Sequence, residues 1–426
     1  MDNMIKSYVE TACSCIKWKN YHFAIKTELK NHIYDSFNDY IEQGMPEEEA
    51  MDLVLRNMGD PYIIGKALNE AYQPKYNKML ILTVFFPVIL FSLCEYFAML
   101  EATGNSFYFI KIFFHILIGS AGGFWLFQSD WSEERRFNRF VLRAYISIIV
   151  TCVIVHLLFF PDMFNVLNGM LFLLSHLCCC CIDRIKNRKI IGLIIVMLID
   201  MVAIFIAFYV QAFAGMIMLT ASSWAVCMET IRSGWIDIDK KRFGYFLVSI
   251  PCLVILLYSV IIKMDNILLN RKGFFVLEIM KGAIVCGRGN AKIASYKGIA
   301  DYPLTLVIAR YGYIMLAVYI ICFGFIIFEI IKIFHKQQSV IGRVLMISVV
   351  TNFLIEFIFA LLLNLGIPLV KGFVVPFLDF RFGIVTKMVQ IGLIIKLDCF
   401  GNYIFSNYSD HRLFDVEGGK IIIYYR

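Results

Sequence analysis

Apolar runs of about 20 residues recur from Met79 to near residue 397, and they constrain this chain more than any other feature. A helix of that length spans roughly 30 Å, the thickness of the hydrocarbon core of a bilayer. The composition agrees, because 60% of the residues are apolar and 17% are charged, whereas soluble domains are about 45–50% apolar and about 25% charged. The sequence therefore predicts an all-α, polytopic membrane protein and excludes a soluble enzyme, a disulfide-rich secreted domain and a disordered chain.

About ten transmembrane helices are predicted. The stretch 190–229 is nearly continuous, but forty helical residues would extend about 60 Å, so two spans joined by a turn near Gln211 are predicted there. The full set of predicted spans is 79–100, 108–128, 141–160, 164–182, 190–209, 211–229, 243–263, 304–331, 344–366 and 382–397.

Basic residues in the short loops predict the orientation of these spans. Loops on one side carry clusters such as Arg135 with Arg136 and Arg184 with Lys186, whereas loops 101–107 and 161–163 have neither Lys nor Arg. Cytoplasmic loops are enriched in these residues, so both termini are expected in the cytoplasm and the longest loop, 264–303, outside the cell. The net charge of +7 is modest and gives no reason to expect a nucleic-acid partner.

Residues 1–78 are predicted to form a small cytoplasmic three-helix bundle ahead of the membrane domain. Helices are expected from Phe23 to Glu42, from Pro46 to Gly59, and from Asp60–Pro61 to about Tyr72, because Asp is a favoured N-cap and Pro a favoured first residue. The pattern resembles the permease prefix domain, which implies a docking or regulatory role. The tail 398–426 is predicted to be cytoplasmic and to contain a hairpin around Gly418–Gly419.

The last third of the membrane domain, 79–397, carries a family pattern. The run from Ala300 to Gly312 (ADYPLTLVIARYG) resembles the TDFIFAVIAEELG segment of the SEDS family, the FtsW, RodA and SpoVE proteins. Upstream, Ala283–Gly287 is similar to the AIGSG run of the family, and downstream Pro368, Gly372 and Pro376–Phe377 are similar to its PVTGVPLPFISYGGS segment. The resemblance covers roughly 190–397 and is strongest after 283.

The SEDS resemblance implies a bacterial cell-membrane protein of division or cell shape. Family members polymerise lipid II, an undecaprenyl-linked peptidoglycan precursor, together with a class B penicillin-binding protein, and a divalent cation is compatible with the resemblance. Asp301 matches the essential aspartate of the family and is the expected general base. The alternative reading of Asp301 is a charge that flanks a span at the water boundary.

Cations are concentrated in the predicted outer loop. A pyrophosphate-binding surface would explain them, with Arg288 and Lys292 beside Gly287 and Gly289 as the expected contacts; anionic lipid headgroups are the alternative ligand. The predicted substrate-binding residues are Arg271, Lys281, Arg288, Lys292 and Lys297.

Ionisable residues within the predicted spans are costly unless they are paired or face a wet cavity. Arg310 is expected to pair with Glu356 or Asp200 on a neighbouring span, as a structural ion pair or as the lining of a polar cavity for a lipid substrate. No metal site is predicted, since the consecutive cysteines 178–181 point in four directions from a helix.

Departures from the family pattern keep other functions open. Asn165–Asn168 replaces the family's QPSE, and Ala309–Arg310 replaces its paired glutamates. One alternative is therefore a non-catalytic scaffold that keeps the fold and binds envelope or division partners. A lipid or small-molecule transporter is a third class, which the intramembrane charges favour.

Overall fold

The computed structural model describes residues 2–104, 106–131, 189–209, 213–236, 241–268, 271–290, 302–367, 375–378, 383–403, 414–417 and 420–423, with a few single residues between 143 and 154. The chain divides into two compact units. Unit 1 contains Met1–Tyr76, Ser129–Phe137 and Cys399–Arg426, and unit 2 contains Asn77–Gln128 and Asn138–Asp398.

Unit 1 begins with four helices rather than three. They are α1 (Asp2–Ser14), α2 (His22–Glu42), α3 (Glu47–Met58) and α4 (Pro61–Ala71). The last three match the predicted helices, whereas α1 was not predicted. Its buried residues Ile5, Val9 and Ala12 recur at helical spacing, and α1 packs against α2 and α4. The predicted three-helix count is therefore wrong by one helix.

The ends of these helices follow from local chemistry. The Asp60 side chain accepts a hydrogen bond of 2.8 Å from the Tyr62 backbone N–H, with Pro61 at the first helical position. Gly65 sets the approach of α4 to α1, because a Cβ built there would lie 2.3 Å from the carbonyl oxygen of Ala12. A larger residue at position 65 would force the two helices apart.

The C-terminal residues belong to unit 1. The predicted hairpin is present as β1 (Phe414–Glu417) and β2 (Lys420–Ile423), which pair antiparallel. Strand β1 lies against α2 and α3, and β2 lies against α4. Rings from both ends of the sequence also meet, since the Tyr21 ring is 5.1 Å from Phe400 and 4.7 Å from Tyr403. The tail that was predicted as a separate segment therefore packs on the N-terminal helices.

Unit 2 is built from long apolar helices. Seven helices among the described residues are long and apolar enough to cross a membrane. The predicted spans 141–160 and 164–182 lie almost wholly outside the described residues. The helices of unit 2 are α5 (Lys78–Thr103), α6 (Phe107–Gln128), α7 (Lys189–Tyr209), α8 (Phe213–Arg232), α9 (Lys241–Leu268), α10 (Arg271–Lys281), α11 (Pro303–Tyr311), α12 (Ile314–Lys336), α13 (Val340–Asn364) and α14 (Gly383–Phe400).

Helix α8 is the central helix of unit 2. It packs against α7, α9 and α13, and most of its residues are buried. The predicted division of 190–229 into two spans is confirmed, because α7 ends at Tyr209 and α8 begins at Phe213.

The single span predicted at 304–331 is wrong, because the chain breaks there into α11 and α12. The break lies at Gly312, whose φ of +91° is a conformation that favours glycine. A Cβ at Gly312 would also lie 2.7 Å from the carbonyl oxygens of both Ile284 and Val285. The predicted outer loop 264–303 likewise contains a helix, α10.

Glycines bring α6 and α14 into close contact. A Cβ at Gly392 would lie 2.4 Å from the Cα of Gly123, so these two backbones touch directly. The ammonium group of Lys396, which is fully buried, donates to the carbonyl oxygens of Leu126 and Phe127 at 3.1 and 3.2 Å. These carbonyls belong to the last turn of α6, so Lys396 caps the negative end of that helix.

Candidate functional site

The loop 282–290 is the described part of the predicted outer loop that follows α10. Its backbone is fastened to the junction between α11 and α12. The N–H of Gly287 donates to the carbonyl of Tyr311 at 2.9 Å, and the N–H of Tyr313 donates to the carbonyl of Ile284 at 2.9 Å. The loop is therefore held beside the end of α11 by main-chain hydrogen bonds, whichever side chains it carries.

Helix α11 is buried and fixed at its beginning. Residues Leu304 to Ile308 are all almost inaccessible. The Thr305 backbone N–H donates to Asn364 Oδ1 at 3.1 Å, and the Thr305 hydroxyl donates to the Asn364 carbonyl at 2.7 Å. These bonds join the first turn of α11 to the last turn of α13.

The carboxylate of Glu101, near the end of α5, joins two arginines from different elements. Its Oε1 lies 2.6 Å from Nη2 of Arg288 in the loop, and its Oε2 accepts from Nη1 of Arg310 on α11. Arg310 also donates to the carbonyl of Phe97 at 2.9 Å. We call Glu101, Arg288 and Arg310 the Glu101 cluster; its formal charge is +1.

Exposure distinguishes the two arginines of the Glu101 cluster. The side chain of Arg288 is 70% exposed, whereas those of Arg310 and Glu101 are 28% and 23% exposed. Guanidinium groups bind carboxylates and phosphates through the same planar fork of N–H donors. The cluster therefore presents one exposed guanidinium group and one partly buried one, both paired with a carboxylate of the chain itself.

The structure describes part of the predicted substrate-binding set. Arg288 belongs to the Glu101 cluster, Lys281 is exposed at the end of α10, and Arg271 begins α10 with its side chain outside the described residues. Asp301, Lys292 and Lys297 lie outside the described residues, so their predicted roles stay predictions.

The predicted partners of Arg310 are wrong. Arg310 pairs with Glu101, while the fully buried Glu356 pairs with Lys387 of α14. Asp200 accepts a hydrogen bond from the hydroxyl of Ser223. Glu101 directly follows the predicted span 79–100, and Lys387 lies within the predicted span 382–397. The sequence contains both charges but does not indicate which charged residue each one contacts.

The Lys387 ammonium has further partners in the core of unit 2. It donates to Gln390 Oε1 at 2.8 Å and lies 4.4 Å from the centre of the Phe353 ring. These contacts compensate the removal of a charge from water, which is otherwise costly. Glu356 and Lys387 therefore form a structural ion pair between α13 and α14.

A metal-binding constellation would need several His, Cys, Asp or Glu side chains directed at one point. Within the described ranges, no group of three or more such residues is arranged to hold a metal ion.

Comparison with known proteins identifies the fold. No family model matches the sequence, and no curated protein matches it. Among solved structures, a chain in a structure described as "Structural coordination of polymerization and crosslinking by a peptidoglycan synthase complex" aligns with a TM-score of 0.56 and 12% identity, over 76% of this chain and 97% of that one.

Two structures of the rod shape determining protein RodA of Thermus thermophilus align similarly. The wild-type structure gives a TM-score of 0.50 with 12% identity over 76% of this chain and 96% of that one. An aspartate-to-alanine mutant gives 0.51 with 11% identity over 76% and 97%. This chain is a predominantly helical, membrane-embedded protein with the fold of the SEDS (RodA/FtsW) family.

Proposed function

We propose that this protein is a SEDS-type glycosyltransferase of peptidoglycan synthesis in the bacterial cell membrane, acting on lipid II or another undecaprenyl-linked sugar. The observation that carries the proposal is an accessible pair of arginines in a fold shared with RodA and with a chain of a peptidoglycan synthase complex.

The chemistry requires a base and a source of positive charge. A sugar hydroxyl attacks the anomeric carbon of the donor, the new glycosidic bond forms, and the bond to the undecaprenyl diphosphate breaks. Asp301 accepts the proton of the attacking hydroxyl, and it stands in the sequence directly before Tyr302 and the buried helix α11. Negative charge develops on the departing diphosphate, and Arg288 with the neighbouring predicted cations Lys281, Lys292, Lys297 and Arg271 stabilises it.

Orientation and partners belong to the same proposal. The Glu101 cluster faces the outside of the cell, both termini lie in the cytoplasm, and a class B penicillin-binding protein supplies cross-linking. Support for the orientation comes from the basic short loops. The segment 1–78, whose sequence resembles the permease prefix domain, serves as a cytoplasmic docking module, and the process is cell division or the maintenance of cell shape.

Polymerisation of lipid II in liposomes, with a penicillin-binding partner present, tests the proposal. The wild-type protein should form glycan chains, and Asp301→Asn should abolish them while leaving expression and melting temperature unchanged. Glu278→Gln is the matched control, because Glu278 is an exposed carboxylate on α10; it should retain activity. Inactive wild-type protein, or an active Asp301→Asn variant, would contradict the proposal.

A non-catalytic scaffold is the second candidate, and one observation favours it. Arg288 and Arg310 are both already paired with Glu101, as in a clamp that holds α5, the loop 282–290 and α11 together. In that case the wild-type protein should bind its envelope partner without forming glycan, and Asp301→Asn should bind equally well. A transporter would instead move its substrate across liposomes at a rate that is independent of Asp301.

A further inference from the structure

We infer that Glu101 is an internal anion that occupies the phosphate-binding position of Arg288 and Arg310, and that a phosphate-bearing lipid displaces it from Arg288. This inference rests on the proposed function for the identity of the lipid, a polyprenyl diphosphate. The inference adds two residues to the predicted binding set. Arg310 binds the phosphate group, and Glu101 competes with that phosphate group for the arginines.

The geometry of the Glu101 cluster supports the exchange. Each carboxylate oxygen accepts from one guanidinium, Oε1 from Arg288 at 2.6 Å and Oε2 from Arg310. A phosphate presents at least two oxygens to the same donors and carries more charge than a carboxylate. The position of the Glu101 carboxylate is therefore a position that a phosphate group can take.

The two contacts of Glu101 differ in how readily they break. Arg310 is the less exposed arginine and has a second anchor in the carbonyl of Phe97. Arg288 is 70% exposed, and exposed ion pairs contribute little to stability. An incoming anion should therefore take over Arg288 first, while Arg310 stays in place.

The loop backbone keeps Arg288 available after release. Gly287 and the residues before it are hydrogen-bonded to Tyr311 and Tyr313, so freeing the Arg288 side chain does not require the loop to detach. The change is a rotation of one long side chain, which is fast in an exposed position. Removing the charge of Glu101 raises the formal charge of the cluster from +1 to +2, so it should strengthen anion binding.

Direct binding measurements in detergent or nanodiscs test this inference without requiring catalysis. The probes are undecaprenyl diphosphate and phosphatidylglycerol. Glu101→Gln should bind undecaprenyl diphosphate roughly fivefold more tightly than wild type, the factor for an ion pair of about 1 kcal/mol. Glu278→Gln adds the same net charge at an exposed position outside the cluster and should change affinity little, because distant exposed charges are screened.

The second variant is Arg288→Gln, which leaves the pair of Glu101 and Arg310 intact. It should weaken binding severalfold, and the double variant Glu101→Gln, Arg288→Gln should fall between the two single variants. If Glu101→Gln binds only undecaprenyl diphosphate more tightly, the ligand is a polyprenyl diphosphate. If it binds both lipids more tightly, the site accepts the phosphate group of a polyprenyl diphosphate or of a phospholipid.

Unchanged or weaker binding in Glu101→Gln overturns the inference. If Glu101→Gln folds poorly, as judged by its melting temperature, unchanged binding in Arg288→Gln overturns it instead. Failure of the polymerisation assay with these binding results intact would count against the proposed function alone, so the two ideas fail separately.

Discussion

The two units of this protein differ in the residues that they expose and in the charges that they bury. In unit 1, Ile25, Leu29 and Ile33 of α2 are fully buried. In unit 2, Phe205 is 68% exposed, while the charged side chains of Glu356 and Lys387 are 0–1% exposed. Apolar residues next to water would be unfavourable, but next to lipid they lose nothing. The contrast teaches that each unit is folded for a different solvent, and that the interior of unit 2 contains a charged pair among its apolar side chains.

The largest test of this contrast removes the buried cation of unit 2. Lys387→Met should destabilise the protein by about 3–5 kcal/mol, because Glu356 would keep a buried charge without its partner. The double variant Glu356→Gln, Lys387→Met should recover most of the loss. Thermal unfolding monitored by size-exclusion chromatography measures both. Equal losses in the single and double variants would show that volume, rather than charge, matters at this position.

A large-to-small substitution makes the corresponding test in unit 1. Leu29→Ala should cost about 2–5 kcal/mol, since it removes three buried carbons from the centre of α2. Hydrogen exchange should show lost protection in residues 1–76, with the helices of unit 2 unaffected. If the helices of unit 2 lose as much protection from hydrogen exchange as residues 1–76, the two units unfold together and the prediction is contradicted.

Close helix packing in unit 2 gives a smaller effect. Gly392→Ala should destabilise by about 1–3 kcal/mol, because the new methyl group would meet the backbone of Gly123. The control is Gly324→Ala on α12, where nothing lies within 4 Å of the added Cβ. That variant should be neutral or slightly stabilising. Melting temperatures that rank the two variants in the reverse order would contradict the packing of α6 on α14.

The smallest expected effect is the loss of a helix cap in unit 1. Asp60→Ala removes the acceptor for the Tyr62 N–H and should cost about 1 kcal/mol. Asp60→Asn, which keeps an acceptor oxygen, should remain close to wild type. Hydrogen exchange at the start of α4 measures the difference, and a loss shared by both variants would assign the effect to charge instead of capping.

Local signals account for the parts of the structure that were predicted correctly. Asp60–Pro61 marked the start of α4, and the length of the apolar stretch 190–229 required its division. Helix α1 was missed because residues 2–14 contain neither the Pro nor the Gly that marks an end of the predicted helices.

The errors in unit 2 have a common cause in long-range contacts. Gly312 breaks a helix because the carbonyls of Ile284 and Val285 approach it from another segment. Arg310 and Glu101 are 209 residues apart in the sequence. Periodicity and composition describe how one helix meets its solvent, and they contain no information on which distant charges will meet.

The N-terminal helices and the C-terminal residues of unit 1 share one set of aromatic rings, since the Tyr21 ring lies 5.1 Å from Phe400 and 4.7 Å from Tyr403. A substitution of Phe400 should therefore destabilise the N-terminal helices, although Tyr21 and Cys399 are 378 residues apart in the sequence.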